Sequence, residues 1–169
     1  MFAEAFRAYL IADTVPRTGG LTCRQRLGPY DSGPGGDGLS IFVTDPPPEK
    51  CWANIMTPNL FTVTITEQGG DAFDVRDITG KKVQIQVIVR GSRGFTAPNL
   101  CDMSFDVRDV FHRSDVYVPN YENWGVFAEE PVDFEDALGF PAYRISMHGS
   151  FLSVVPLAST TSGGGTTSG

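Results

Sequence analysis

The fold is decided by residues 61–90, which read FTVTITEQGGDAFDVRDITGKKVQIQVIVR. Apolar and polar residues alternate at both ends of this stretch, from Phe61 to Thr66 and from Val83 to Arg90. A period of two places the apolar side chains on one face of a β-strand. The polar middle contains Gly69-Gly70, so the stretch predicts two antiparallel strands joined by a long, projecting hairpin loop.

Helical patterns flank this hairpin on both sides. Near the start of the chain, Phe2, Phe6 and Leu10 recur at helical spacing, which predicts a short amphipathic helix that ends before Pro16. After the hairpin, residues 97–111 place their apolar side chains on one face and follow Thr96, a residue type that caps helices. We expect this second segment to be the principal helix and to pack across the sheet.

Weaker patterns complete the sheet. We predict strands at 21–27, 124–129 and 142–152, with a Gly/Pro-rich loop at 28–38 and an acidic connection at 130–136 that is a solvated face or, in an oligomeric ring, lines the lumen and repels DNA phosphates. These elements indicate one α+β domain over residues 1–158, with a mostly antiparallel sheet. The Ser/Thr/Gly-rich residues 159–169 are expected to form a flexible tail.

Composition restricts the functional classes. The 169 residues contain 13 Lys and Arg against 20 Asp and Glu, a formal net charge of −7. Because basic side chains supply most of the affinity for nucleic acids, this balance argues against a DNA-binding surface. No apolar run approaches the ~20 residues that span a bilayer. Charged residues at Glu4, Arg7 and Asp13 also argue against a secretion signal.

Motifs that carry chemistry are weak. Gly33, Gly35 and Gly38 fit the spacing GxGxxG, but we expect a strand after them, whereas a dinucleotide site needs a helix N-terminus to bind the phosphate. The three cysteines are far apart, which favours a reducing compartment. His112 and His148 lack a nucleophile at a recognisable motif distance. We therefore expect no catalytic residues, no cofactor, no metal site and no enzymatic activity.

The hairpin carries the residues that we expect to contact other proteins. Its three aspartates are spaced by three residues, which does not match the alternating ligands of a calcium-binding loop. Basic residues accompany them and offer partners within or between subunits. The candidate assembly interface consists of Asp71, Asp74, Arg76, Asp77, Lys81 and Lys82.

Aromatic residues leave another class of function open. Trp52, Tyr121 and Trp124 are predicted in or near loops, where such side chains serve as core lids or as interface anchors. A small β-rich module that binds a carbohydrate or another ligand by stacking on these rings is therefore an alternative.

Residues 53–113 resemble the middle of the tail terminator proteins of long-tailed bacteriophages, also known as minor capsid or tail completion proteins. The likeness rests on a strand that ends in a Q-x-Q-V-x-V-R-G run, followed by a helix. The chain supplies this pattern with Gln84, Gln86, Val87, Val89, Arg90 and Gly91, and with the helix at 97–111. The Gly/Pro-rich loop and the Ser/Thr/Gly-rich tail depart from the family.

The resemblance implies a structural virion protein without catalytic activity. It would form a homo-oligomeric ring, a hexamer in the family, that terminates the tail tube and joins it to the head connector or stopper protein. DNA would pass through the lumen without specific binding, and no membrane would be involved. The protein would assemble in the host cytoplasm and remain in the neck or tail of the virion. A tail tube or head–tail connector subunit of the same particle is the alternative within this class.

Overall fold

The computed structural model describes residues 1–30, 33–50, 60–91 and 97–154. The helices are α1 (Phe2–Ala12), α2 (Cys23–Arg26) and α3 (Ala97–Phe111), with a 3₁₀ turn at Thr18–Gly20. The strands are β1 (Ile41–Phe42), β2 (Thr62–Val75), β3 (Ile78–Arg90), β4 (Tyr121–Ala128), β5 (Val132–Glu135) and β6 (Pro141–Ser153). The predicted cap at Thr96 and the predicted tail lie outside the described residues.

The strands form one sheet in the order β1-β2-β3-β6-β4. The pairs β2–β3, β3–β6 and β4–β6 are antiparallel, whereas the two-residue β1 is parallel to β2. β5 continues the track of β4 along the same side of β6, since Ala128 pairs with Met147 and Val132 pairs with Arg144. This arrangement confirms the predicted α+β class, with a long hairpin, a short N-terminal helix and one principal helix.

Both long helices cover the same face of the sheet, which we call the helix face. α1 buries Phe2, Phe6 and Leu10, and the ring of Phe6 lies 5.4 Å from that of Phe111 in α3. Alternate side chains of the central strands enter the same core, including Val83, Ile85, Val87, Val89, Ile145 and Met147. Burial of each such side chain stabilises the fold by about 1.5–3 kcal/mol, so this core determines which face of the sheet packs against the helices. We call the opposite face the open face.

Residues 21–27 contain the short helix α2, which corrects the predicted strand. Thr22 and Gln25 form a reciprocal capping box, in which the Thr22 hydroxyl accepts from the Gln25 N–H and the Gln25 side chain accepts from the Thr22 N–H. These bonds satisfy backbone donors that a helix start leaves unpaired. The capping box therefore stabilises a helix here, although the alternating pattern of the sequence favours a strand.

The hairpin is paired along its length, which corrects the predicted long loop. β2 and β3 remain in register as far as the pair Val75–Ile78, and Arg76 and Asp77 make the turn. The register shifts once, between Glu67 and Gly69, where one extra residue forms a bulge. The sequence loses its alternation here because residues near the tip are exposed on both faces.

The acidic connection contains strand β5 and ends in a buried carboxylate, which corrects its expected solvation. Asp136 accepts a hydrogen bond from Nε of Arg90 at 3.2 Å, and both side chains are buried. Nη1 of Arg90 also donates to Thr64 at 2.8 Å, and Nη2 lies 3.8 Å from Asp45. This network fastens the residues before β6 to the end of β3.

None of the helices in the described ranges is long and apolar enough to cross a bilayer.

Candidate assembly surface

The predicted interface residues are exposed on the hairpin but are divided between its two faces. Asp71 and Lys82 lie opposite each other on the open face. Asp74 points to the other side, where it accepts a hydrogen bond from Thr79 at 3.2 Å. Residues three apart in one strand point to opposite faces, so the aspartates do not converge on one cation. No cluster of three or more metal-ligand side chains occurs within the described residues.

The remaining charged residues of the hairpin lie at the turn and beside α1. Arg76 and Asp77 occupy the turn, with Arg76 at φ 56°. The ammonium of Lys81 lies 5.2 Å from the ring centroid of Phe2, a cation–π contact on the helix face. Arg76 and Lys82 are therefore the basic residues of the hairpin that point away from the helix layer.

Apolar side chains share the open face of the hairpin, and the sequence analysis did not identify them. The Phe73 ring lies over Gly80, and its centroid is 6.4 Å from that of Trp124. Ile78 is 46% exposed and Trp124 is 54% exposed. The alternation of Phe73 and Val75 is a signal for this surface, but it is too short to distinguish a strand from the predicted loop. We call Phe73, Val75, Ile78 and Trp124 the hairpin patch.

A second exposed surface surrounds β5. Phe127 and Val132 lie on its open face and are 55% and 47% exposed. His148 of the neighbouring strand approaches Glu129 at 3.7 Å. Four exposed carboxylates lie along the same segment, namely those of Glu129, Glu130, Asp133 and Glu135. Asp133 and Glu135 pair with Tyr143 and Pro141, so alternation places these two on the helix face, across β5 from Val132. We call the two apolar residues and the four carboxylates together the acidic corner.

The tip of the hairpin and β5 occupy diagonally opposite corners of the sheet, whereas Trp124 of the hairpin patch and Phe127 of the acidic corner are three residues apart in β4. β2 and β5 lie on opposite sides of the β3–β6 pair. Glu135 pairs with Pro141 at the start of β6, whereas Gly80 of the hairpin pairs with Leu152 near its end. At roughly 3.3 Å per residue, β6 separates the two corners by about 36 Å along the strand direction.

The outer edge of β4 is closed by the end of α3 and the residues after it. Arg113 N donates to Val126 O at 2.9 Å, and Ala128 N donates to Nδ1 of His112 at 3.2 Å. Nε of Arg108 donates to Ala128 O at 3.0 Å. An edge whose backbone groups are satisfied in this way does not accept another strand.

His112 closes this edge only as a neutral imidazole. A protonated imidazole carries a hydrogen on both nitrogens and cannot accept the Ala128 N–H. Burial, together with the charges of Arg108 and Arg113, lowers the pKa of His112. The environment therefore favours the form that makes the hydrogen bond.

The outer edge of β2 is open along the hairpin. β1 pairs only with Val63 and Thr64, and the Glu67 carboxylate accepts the Phe2 N–H of α1 at 2.7 Å. From residue 68 to residue 75, no strand of the described chain lies beside β2 on its outer side. An unpaired edge of this kind is a template for a strand of another chain.

The aromatic residues that could form a ligand-stacking platform do not lie together, and the Cys23 thiol is buried. Tyr121 lies on the helix face, where its ring is 5.3 Å from Phe2, whereas Trp124 lies on the open face. These two rings therefore form no common stacking platform, and Trp52 lies outside the described residues. Burial raises the pKa of the Cys23 thiol to about 12, which keeps it protonated at neutral pH.

The glycine-rich loop leads into a strand. Gly38 is followed by β1, so the phosphate-binding helix of a dinucleotide fingerprint does not follow these glycines. The loop is held to α1 by an ion pair in which Nη2 of Arg7 lies 2.7 Å from Asp37. A structural loop fits this geometry.

Comparison with solved structures identifies a virion component of similar fold. The matching chain comes from a structure described as "Virion of native gene transfer agent (GTA) particle". It has a TM-score of 0.54 and 12% sequence identity, and the match covers 89% of this chain and 92% of that one. No protein-family model and no curated protein matches the sequence. At this identity the likeness shows a shared fold.

Proposed function

We propose that this chain is a structural protein of a phage-like virion that assembles with copies of itself and with other virion proteins. The observation that carries the proposal is the fold shared with a virion chain over nearly the full length of both. Because one fold can serve many functions, the exposed surfaces must also fit the proposed role. Here they offer an open strand edge and apolar patches bordered by charge, which are features of protein contacts.

The specific role that we propose is that of a tail terminator without catalytic activity. The resemblance of residues 53–113 to that family supports this role. A terminator forms a closed ring, expected to be a hexamer, at the end of the tail tube and offers its other side to the head connector. Side-to-side contacts of the heterologous type produce such a ring when the rotation between subunits closes. A tube subunit would use similar contacts but would stack into a filament.

The charge of the chain fits a passage for DNA. With a net charge of −7 per subunit, a ring repels phosphates and lets DNA pass without specific binding. A ring rich in exposed Lys and Arg would instead retain the DNA.

The proposal is tested on particles purified from cells that make this protein. Mass spectrometry shows whether the chain is present, and electron microscopy with an antibody shows its position. We expect one ring of label at one end of the tail. Label along the whole tail would identify a tube subunit, and particles that lack the chain would contradict a structural virion role.

A further inference from the structure

We propose that adjacent copies of this chain join by seating the hairpin of one copy on the acidic corner of the next. The inference rests on the proposed ring, and it names the two surfaces that form the contact between its subunits.

Charge distinguishes this pairing from the alternatives. Seven of the basic side chains in the described residues are exposed, and three of them, Arg76, Lys81 and Lys82, lie within one seven-residue segment. Aspartates on the hairpin balance these bases, whereas the acidic corner carries four exposed carboxylates. Two acidic corners repel each other, so a symmetric contact between them is disfavoured. Contact with a hairpin places Arg76 and Lys82 beside those carboxylates.

Apolar surface is available on both sides of the proposed contact. Ile78 projects from the hairpin patch beside Phe73 and Val75. On the acidic corner, Phe127 and Val132 are each about half exposed. Charged rims around apolar centres are typical of protein interfaces, in which the centre supplies affinity and the rim supplies specificity.

Backbone groups are available as well. Among the described residues, no strand pairs with the outer edge of β2 along the hairpin, and none pairs with β5 on the side away from β6. The hydrogen bonds that close the β4 edge involve Val126 and Ala128 and stop short of β5. A strand of the next copy can therefore extend the sheet at β5 but not at β4.

The geometry requires that the contact form between copies. The hairpin at Gly80 and β5 at Glu135 lie about 36 Å apart along β6 at roughly 3.3 Å per residue, so the hairpin tip does not reach β5 of its own chain. A contact between two different surfaces of the same chain is heterologous, and each copy retains one free surface of each kind until the chain of contacts closes. This is the property that a ring requires.

Charge reversal in the full-length protein tests the contact. The hairpin variant carries Arg76→Glu and Lys82→Glu, and the corner variant carries Glu129→Lys and Glu130→Lys. We expect sedimentation velocity to show that each variant loses the oligomer of the native protein. An equimolar mixture should recover it, because each altered surface then meets its altered counterpart and each native surface meets a native one. The matched control, Arg24→Glu with Arg113→Glu, reverses two exposed bases elsewhere and should keep the oligomer.

Cross-linking provides a readout that does not depend on the variants folding. Native protein labelled with ¹⁴N and ¹⁵N is mixed, concentrated and treated with a carbodiimide, which joins amines to carboxylates in direct contact. We expect mixed-isotope peptides that join Lys81 or Lys82 to Glu129, Glu130 or Asp133. The same treatment is applied to purified particles, where the same peptide pairs are expected.

Two results would overturn the contact. One is an oligomer that neither variant weakens, and the other is the absence of hairpin-to-corner peptides from both the concentrated protein and the particles. Particles that contain the chain but lack these peptides would refute the contact and leave the virion role in place. Absence of the chain from particles would refute the role itself.

Discussion

Removal of the Asp136 carboxylate should destabilise the protein strongly. The substitution Asp136→Ala leaves Arg90 in place, with its guanidinium only 3% exposed. The lost carboxylate accepts Nε at 3.2 Å and Nη2 at 3.5 Å. The variant therefore retains a buried positive charge without its principal counter-ion.

The expected loss in the free energy of unfolding is about 3 kcal/mol. Breaking a buried ion pair from one side costs about 3–5 kcal/mol, because the remaining charge stays desolvated. The lower end applies here, since Thr64 still accepts from Arg90 and Asp45 lies 3.8 Å away with a side chain that is 42% exposed. For a chain of this size each kcal/mol changes Tm by about 2–4 °C, so the melting temperature should fall by about 6–12 °C.

Urea unfolding of both variants, followed by circular dichroism, measures this loss. The matched control is Glu135→Ala, which removes the exposed carboxylate of the preceding residue and should change stability by no more than about 0.5 kcal/mol. A loss below about 1 kcal/mol in Asp136→Ala, at an unchanged m-value, would refute the argument that this pair is buried and intact.

Three further changes test other contacts. Lowering the pH should destabilise the protein through His112, whose pKa in the folded protein lies below the unfolded value of about 6.5. The stability that the neutral imidazole contributes is complete above the unfolded pKa and is lost as the pH falls from there through the folded pKa. Urea titrations at a series of pH values measure this, and His112→Asn should lessen the dependence. Gly70→Ala should cost about 1–3 kcal/mol, since a Cβ there overlaps the backbone carbonyl of Lys82 in the paired strand, and a neutral result in thermal melts would contradict the close approach of β2 and β3 at this position. Ile78→Glu should leave the melting temperature nearly unchanged but weaken self-association in sedimentation, and full association would count against the hairpin patch.

The sequence predicts best those strand segments that pack against the helices. Phe61 to Thr66 and Val83 to Arg90 alternate because their apolar side chains enter the core beneath α1 and α3, whereas Thr64 and Arg90 on the other face are buried in hydrogen bonds with each other. Beyond Glu67 the sequence resembles a loop because neither face of the hairpin is covered, so exposure to solvent removes the alternation while the backbone pairing continues. At α2, the pair Thr22 and Gln25 was a local signal for a helix that alternation obscured.

Long-range pairing explains the other differences. Asp136 is one acidic residue among several in its segment, and its burial depends on Arg90, which lies 46 positions away. Trp124 joins the hairpin patch only because β4 and β3 both pair with β6. The charges of the hairpin predict a contact surface there, and this remains a prediction. The apolar side chains and the acidic corner became visible only when the strands were assembled.

The most direct test of the structural virion role is electron microscopy of purified particles labelled with an antibody against this chain. The account predicts a single ring of label at the end of the tail that faces the head. Particles with complete tails that contain none of this protein would contradict it.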